Sequence, residues 1–416
     1  MPQQMANVRT WPRMDLRGVD FHPMMAELLG EECPARVALP QGGEPAWVFT
    51  HYDEVKAVTA DPRFSRAAVR EADATRLTKL RPLLEGDLTY QDGDAHTRIR
   101  RQLAKVLTPA RIEVLDRVST RICDSLMDAV LAQGSPADLV ADLISPYALE
   151  LTGRLVGVPE EYRDQRLCDR FETVFSVRST PEEARAAQDA LQELFQDLVS
   201  AARVARPEAP GAQPGGLITA LAGPDAELTD QEVVAAAYHV TQAAWHGIRN
   251  QGGNLLYVLL SRPDLAAWLR GRPDAWPAAI DELLRYMPRL AGLGVERIAT
   301  EDVTVGGVTV RRGEAVYVSY ASANRDERAF PDPSRIDLHR RGNQHLAYGH
   351  GPHRCPASAL GDMELRTLLG TLLTGLPTAR LAVPEQQLAW RTADIARTAA
   401  VAGDPHPRPA PVRRHR

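Results

Sequence analysis

Apolar residues recur at three- and four-residue spacing along most of this chain, which predicts a mainly helical fold. The predicted helices are Val55–Ala60, His96–Val106, Pro109–Gln133, Ala137–Val156, Glu161–Phe175, Pro181–Ala205, Asp230–Leu260, Pro277–Tyr286 and Ala357–Leu373. The pattern that begins at Asp230 runs for about thirty residues, far longer than an average helix. We therefore expect this helix to cross the whole molecule.

Strand signals are few and lie in two regions. "AWVFTH" near residue 46 predicts one strand, and "VTVGGVTVRRGEAVYVSY" predicts a hairpin with Gly306-Gly307 at its turn, followed by a further strand. Residues 331–343 read as irregular, and residues 206–216 as a flexible interior loop. The fold class is thus mainly α with small β-sheets. We expect one domain over residues 1–402 and a disordered basic tail over 403–416.

Composition narrows the classes of protein to consider. Apolar residues make up 44% and charged residues 25% of the 416 residues, as in globular proteins. A formal net charge of −5 gives no general attraction to nucleic acid or to anionic membranes, and no apolar run predicts a membrane helix or signal peptide. Four widely spaced cysteines argue against disulfides or structural zinc. We expect a cytoplasmic protein.

The segment "HLAYGHGPHRCPASALG", residues 345–361, concentrates unusual chemistry around Cys355. A zinc site with His350 and His353 would need a second ligand pair, and none is evident. A nucleophilic thiol is favoured by the helix predicted to follow. A thiolate ligand of haem iron is favoured by the glycines, which let the backbone approach a macrocycle, and by the positive end of that helix. The loop alone leaves these alternatives open.

Charged residues upstream form further patterns. "ELLR" places Glu282 and Arg285 three residues apart on one helix face, where both can reach a third partner. Arg335, in "PSRI", follows before the cysteine loop. "HTRIR", residues 96–100, offers two potential cations four residues apart, suited to a pair of carboxylates. Arg297, in "VERIA", can supply a third.

With ExxR, a later arginine and GxGxHxC in this order, the chain resembles a cytochrome P450 of the soluble bacterial type. The resemblance extends from residue 51 to residue 391. It implies a triangular prism of helices around a buried haem b (iron protoporphyrin IX), with Cys355 as the axial ligand of the iron. The other implied site residues are a structural triad of Glu282, Arg285 and Arg335, and propionate-binding residues His96, Arg100, Arg297 and His353.

The chain departs from the family's pattern beside the cysteine. Tyr348 stands where the family usually has Phe, and Ala357, after Pro356, where it usually has Gly. Both positions lie close to the expected sulfur, so they could alter its hydrogen bonding and hence the iron potential.

A third departure lies in the centre of the long helix. Ala243 and Ala244 match the family's small pair and Trp245 a variable position, while His246 replaces an acid and Gly247 a threonine. That acid and alcohol relay protons in the family. We expect His246 and Gly247, as candidate catalytic positions, over the distal haem face, with the helix locally opened. His246 could carry protons, bind substrate or be packed in the core.

The resemblance implies an enzyme that oxidises a specialised metabolite. Two reactions are open: hydroxylation or epoxidation, and oxidative aryl coupling of an aromatic peptide, cyclic dipeptide or polyketide. The alternatives are a peroxide-driven haem enzyme and a catalytically idle haem protein that presents a carrier-bound substrate. Expected pocket residues are Ala243, Ala244, His246, Gly247, Leu290, Ala291, Leu293 and Ile395.

Electrons must come from a separate protein, because no flavin or iron–sulfur segment is evident. The resemblance implies a ferredoxin and a ferredoxin reductase as partners of a monomeric enzyme. Arg340, Arg341 and Arg354 lie on the cysteine side in sequence and could form the docking surface.

Overall fold

The structure is a computed structural model that describes residues 8–12, 20–71, 84–134, 136–176, 179–204, 216–287, 292–388, 390 and 402–403. Helices dominate it, as predicted. They are α1 Pro23–Leu29, α2 Tyr52–Ala60, α3 Gly93–Val106, α4 Pro109–Gln133, α5 Ser145–Val156, α6 Gln165–Phe175, α7 Pro181–Val204, α8 Leu217–Leu221, α9 Asp230–Ser261, α10 Pro263–Leu269, α11 Trp276–Tyr286, α12 Tyr320–Ala323 and α13 Ser358–Gly375. None of these helices combines the length and apolarity that a membrane span requires.

Short strands form small sheets beside the helices. They are β1 Val8–Thr10, β2 Ala35–Ala38, β3 Ala46–Phe49, β4 Phe64–Ser65, β5 Ala137–Asp138, β6 Arg297–Ala299, β7 Val303–Val305, β8 Val308–Val310, β9 Ala315–Val318 and β10 Ala402–Gly403. Six of them form one sheet in the order β1-β2-β3-β9-β6-β4, and β7–β8 and β5–β10 form separate antiparallel pairs. The predicted strand near residue 46 and the predicted hairpin are confirmed.

The six-stranded sheet carries two basic residues to the site. Arg297, in β6, pairs with Val316 of the buried strand β9. β4 pairs antiparallel with β6, so Arg66, directly after β4, comes close to Arg297. The sheet therefore brings together two cations that are 231 positions apart in the numbering.

The long helix α9 runs through the helical core, as the sequence predicts. A capping box starts it: the N–H of Glu232 donates to the Thr229 hydroxyl, and the Glu232 carboxylate accepts from the Thr229 N–H. α5, α7 and α13 pack around it. Gly252 allows α13 to approach, because a Cβ at this position would lie 2.8 Å from Cδ2 of Leu368.

The single helix predicted over Ala137–Val156 is wrong at its start. Ala137–Asp138 is strand β5, residues 140–144 form a wider π-helical turn, and α5 begins only at Ser145. Pro146 has no N–H and so cannot donate an α-helical hydrogen bond to the carbonyl group four residues earlier. This favours an irregular turn before α5. The Asp138 carboxylate also accepts from the N–H groups of Val140 and Ala141.

Other predicted boundaries are displaced by a few residues. The helix predicted from Glu161 begins at Gln165, because Asp164 accepts from the N–H groups of Arg166 and Leu167 as its N-cap. Residues 331–343 are irregular, as expected. The predicted loop, apart from Gly216, and the predicted tail beyond residue 403 lie outside the described residues.

Glu364 is a buried carboxyl group of α13, and burial raises its pKa from the ordinary value of 4.5 to about 8. The folded protein therefore binds a proton here that the unfolded chain releases, so stability falls as the pH rises from about 4.5 to about 8. We expect Glu364→Gln to raise the free energy of unfolding at pH 8 by a few kcal/mol, since one pKa unit is worth about 1.4 kcal/mol. Denaturant unfolding at pH 5 and pH 8 checks this; an equal effect at both pH values would contradict it.

Candidate active site

The loop before Cys355 folds into a tight turn under this residue. Gly349 and Gly351 have φ angles of +74° and +71°, which favour glycine. At Gly351 a Cβ would also lie 2.3 Å from the carbonyl oxygen of Thr59. The Cys355 N–H donates to the carbonyl oxygen of Tyr348 at 2.8 Å. These contacts hold Cys355, which is half-buried, three residues before α13.

Tyr348, one of the departures noted above, uses its hydroxyl away from the loop. The hydroxyl donates to Oδ1 of Asp362 in α13 at 2.6 Å, and burial together with that carboxyl raises the pKa of Tyr348. Burial likewise raises the pKa of Asp362. The phenol thus ties the cysteine loop to the first turns of α13.

Arg100 connects α3 to the cysteine loop. Its Nη1 donates to the carbonyl oxygen of Arg354 at 2.7 Å. Burial lowers the pKa of Arg100, and the nearby Cys355 opposes this shift. A cation at this place favours the thiolate form of the cysteine.

Two of the predicted binding residues, His96 and His353, lie together. Their ring centroids are 4.2 Å apart, and His353 Nε2 lies 3.1 Å from Oδ1 of Asp92. Burial lowers the pKa of each imidazole to about 4. Burial opposes ionisation of Asp92, but hydrogen bonds from His353, the Ala67 N–H and the Ser65 hydroxyl hold its pKa well below the usual range.

Two buried guanidinium groups lie beside these imidazoles. Arg297 is 1% exposed and Arg66 is 8% exposed. Nη2 of Arg297 and Nε of Arg66 are buried without a hydrogen-bond partner among the described residues. Burial and the adjacent Arg297 lower the pKa of Arg66 to about 10. Because buried cations are normally paired, this cluster fits a ligand that carries two carboxylates.

Arg66 is a site residue that sequence reasoning missed. It follows "FS" in "DPRFSRA" without any spacing motif that marks it. Its place in the cluster depends on the pairing of β4 with β6.

The carboxylate of Glu282 is the centre of a buried network. Arg285 donates to both of its oxygens at 2.8 Å, and both side chains are at most 1% exposed. Arg340 Nε donates to Oε2 at 3.0 Å, and Asn343 Nδ2 at 3.1 Å. The Asp337 N–H completes the set at 2.8 Å.

The prediction that the Arg335 side chain completes this triad is wrong. Arg335 is exposed, and it contributes only its carbonyl oxygen, which accepts from Arg285 Nη2 at 3.0 Å. Arg340 supplies the second guanidinium instead, five positions later in the same irregular segment. This also corrects the prediction that Arg340 lies on a docking surface, because its side chain is only 9% exposed.

Comparison with known proteins gives three concordant findings. The Cytochrome P450 family profile matches residues 276–376. The chain is 41% identical to biflaviolin synthase of Streptomyces coelicolor over 92% of this chain and 93% of that protein. It is 36% identical to mycinamicin IV hydroxylase/epoxidase of Micromonospora griseorubida over 92% and 95% of the two chains. The chain belongs to the cytochrome P450 family.

A solved structure agrees with this assignment. Cytochrome P450mel 107F1, described as having biaryl coupling reactivity, superposes with a TM-score of 0.89 at 34% identity, over 95% of this chain and 99% of that chain. The predicted fold class is thus confirmed. This P450 is an oxidoreductase of the monooxygenase type, and the cofactor of its family is haem b. The cluster around Arg66 and Arg297 fits the two propionates of haem b.

The side of α9 that carries Gly247 is open. A Cβ at Gly247 would meet no atom of the described residues within 4 Å. Ala243, one turn earlier, and Ala244 are partly exposed although they lie at the middle of a helix that is mostly buried. No side chain of the described residues therefore fills the position where the family usually has a threonine.

His246 points to a different side of α9 from Gly247, and its expected place over the distal haem face stays a prediction. It stacks on Trp245 with centroids 4.6 Å apart and meets the edge of Phe175 at 5.4 Å. Its Nε2 lies 3.6 Å from Glu172 of α6. Successive helical residues differ by about 100° in direction, which separates His246 from Gly247. The expected local opening of the helix is wrong, because α9 is one α-helix through these residues.

The remaining predicted pocket residues receive little support. Leu293 is buried in an apolar cluster with Trp11 and Tyr317. Leu290, Ala291 and Ile395 lie outside the described residues.

Proposed function

We propose that this P450 oxidises a phenolic specialised metabolite, with oxidative coupling of aromatic rings as its reaction. The observation that carries the proposal is the open side of α9 at Gly247, where a Cβ would meet no atom of the described residues within 4 Å. An alcohol that assists proton transfer is absent there, so a substrate that brings its own hydroxyl fits the site. Small residues at Ala243 and Ala244 leave room for a broad, flat aromatic group.

In this proposal Cys355 ligates the haem iron, and His96, Arg100, Arg297, His353 and Arg66 hold the propionates. When bound, the haem supplies the one-electron and dioxygen chemistry of the family. The chain's own residues position Cys355. Arg100 donates to the carbonyl oxygen of the preceding residue, Arg354, and the Cys355 N–H donates to the carbonyl oxygen of Tyr348.

The description of one relative supports coupling, and the similarity to a synthase of a specialised metabolite is compatible with it. Biflaviolin synthase is the relative that is 41% identical, and P450mel 107F1 is described with biaryl coupling reactivity. Hydroxylation or epoxidation is the second candidate, favoured by the similarity to mycinamicin IV hydroxylase/epoxidase. The two candidates differ in what they require at Gly247.

Restoring an alcohol at position 247 tests the proposal. We expect Gly247→Thr to weaken the binding of phenolic ligands about tenfold, which corresponds to about 1.4 kcal/mol, because the branched side chain fills the open space. Gly247→Ala is the matched control and should change affinity less than twofold. Naphthols, phenolic polyketides and Tyr-containing cyclic dipeptides serve as ligands, with the haem spectral shift as the measurement. A Gly247→Thr enzyme that binds and converts such a ligand faster than wild type would favour hydroxylation.

We propose that electrons reach this P450 from a ferredoxin and its reductase. Arg341 and Arg354 are exposed on the cysteine side, where basic side chains can guide an acidic partner. Turnover with a surrogate ferredoxin and reductase supports this proposal. Turnover with peroxide alone would favour the peroxide-driven alternative, and no turnover with either reductant would favour the idle haem protein.

A further inference from the structure

A cluster of charged residues joins α6 to α9, on a side of α9 away from Gly247. Oε1 of Glu172, in α6, accepts from Arg249 Nη1 at 2.7 Å and lies 3.6 Å from His246 Nε2. The side chains of His246, Arg249 and Glu172 are 9%, 12% and 26% exposed. One carboxylate therefore faces two basic groups in a place with little water.

Aromatic rings enclose the imidazole of His246. Phe175 contacts it edge-on, and Trp245 stacks on it and also lies under the guanidinium of Arg249. Nδ1 of His246 lies 2.8 Å from the side-chain amide of Gln242. Because an amide can turn to donate or to accept, Gln242 is compatible with both protonation states of the imidazole. Glu172 and Arg249 are then two charged groups of the described residues that act on the imidazole of His246.

We propose that Glu172 is a positioning residue that holds His246 in its charged form, so that α6 supplies the carboxylate absent from the centre of α9. The inference deepens the proposed function and rests on it only for the expected effect on turnover, because the proposed function itself assigns no role to His246. The cluster joins a helix of the open site to a neighbouring helix, and Glu172 fixes both the direction and the charge of the imidazole.

The charges near His246 predict the direction in which its titration shifts when Glu172 is replaced. Opposite charges within about 4–6 Å shift a titration by one to three pH units. Glu172 favours the imidazolium, and Arg249 opposes it. Arg249 is also influenced by Cys168 and Asp138, but burial raises the pKa of Cys168 to about 12, so this thiol is neutral near pH 7. Removal of Glu172 would take away the carboxylate that accepts from Arg249 and faces His246.

Histidine ring NMR of the diamagnetic ferrous carbon monoxide complex tests the inference. The His246 signal is assigned by its loss in His246→Asn. We expect Glu172→Gln to lower the pH at which this imidazole loses its proton by at least about one unit. Asp169→Asn is the matched control, because Asp169 lies on the same helix and is exposed; it should cause no shift. Arg249→Gln should move the midpoint to higher pH.

An unchanged midpoint in Glu172→Gln, or an equal shift in Asp169→Asn, would overturn the inference. If Glu172→Gln does not fold, the Arg249→Gln variant decides. A His246 midpoint that moves to lower pH in this variant would overturn the inference as well. With a phenolic substrate, Glu172→Gln should move the pH profile of turnover to lower pH while the substrate Kd stays within twofold. If the NMR midpoints shift as expected but the enzyme converts no phenol, the proposed function is rejected. The inferred effect of Glu172 on His246 then still stands.

Discussion

Replacing Cys355 by alanine should abolish the red-shifted Soret band of the reduced carbon monoxide complex. Cys355 lies on a turn held by Gly349 and Gly351, with Arg100 close enough to influence its charge. Loss of the sulfur removes the thiolate that gives P450 haem its electronic character. We expect turnover to fall at least about a thousandfold, equivalent to about 4 kcal/mol of activation free energy. Absorption spectra and turnover with surrogate redox partners measure the two effects.

Two other cysteines provide matched controls. Cys123 and Cys168 are buried, and burial raises the pKa of each thiol to about 12, which makes them poor ligands. Cys123→Ala and Cys168→Ala should keep the red-shifted band. A Cys355→Ala protein that retains the band would contradict the assignment of the axial ligand, and loss of the band in either control would show that a packing defect alone can remove it.

Replacing Arg340 by alanine should destabilise the protein strongly, whereas Arg335→Ala should have little effect. Arg340 donates to the buried Glu282 carboxylate at 3.0 Å, and removal of one partner of a buried ion pair costs about 3–5 kcal/mol. Arg335 is exposed, so its truncation should stay within about 0.5 kcal/mol. Denaturant unfolding and the haem content of the purified proteins check this prediction.

Glu282→Gln belongs to the same test. It keeps the shape of the side chain but removes its charge, which leaves two guanidinium groups facing a neutral amide. We expect haem-poor protein and a loss of stability at least as large as for Arg340→Ala. If Arg335→Ala were the damaging substitution and Arg340→Ala the harmless one, the membership of the network described above would be refuted.

Local patterns in the sequence predicted several features that the structure contains. The helical spacing predicted α4 with both of its ends and α9 with its start, and the structure begins each helix directly after a capping threonine. The pairing of Glu282 with Arg285 follows from helical geometry, since residues three apart share a face. The glycines before Cys355 likewise predicted a loop that leads into a helix, and the structure has both. Such features depend on neighbours along the chain.

Only the tertiary structure determined which residues of each sequence pattern are in contact. Arg335 and Arg340 lie in one irregular segment, where no periodicity tells which side chain turns inward. Arg66 reaches Arg297 through the pairing of β4 with β6.

His246 shows the physical reason most clearly. The sequence by itself determined that a histidine and a glycine replace an acid and an alcohol at the centre of α9. It did not determine which side of the molecule each residue faces. Successive residues of a helix differ by about 100° in direction, and contacts with neighbouring elements fix the rotation of the helix about its axis. His246 lies on the side of α9 where it contacts Glu172 and Phe175, and Gly247 lies on the open side. Contacts between distant segments bury or expose a side chain, and this burial controls its charge and its chemistry.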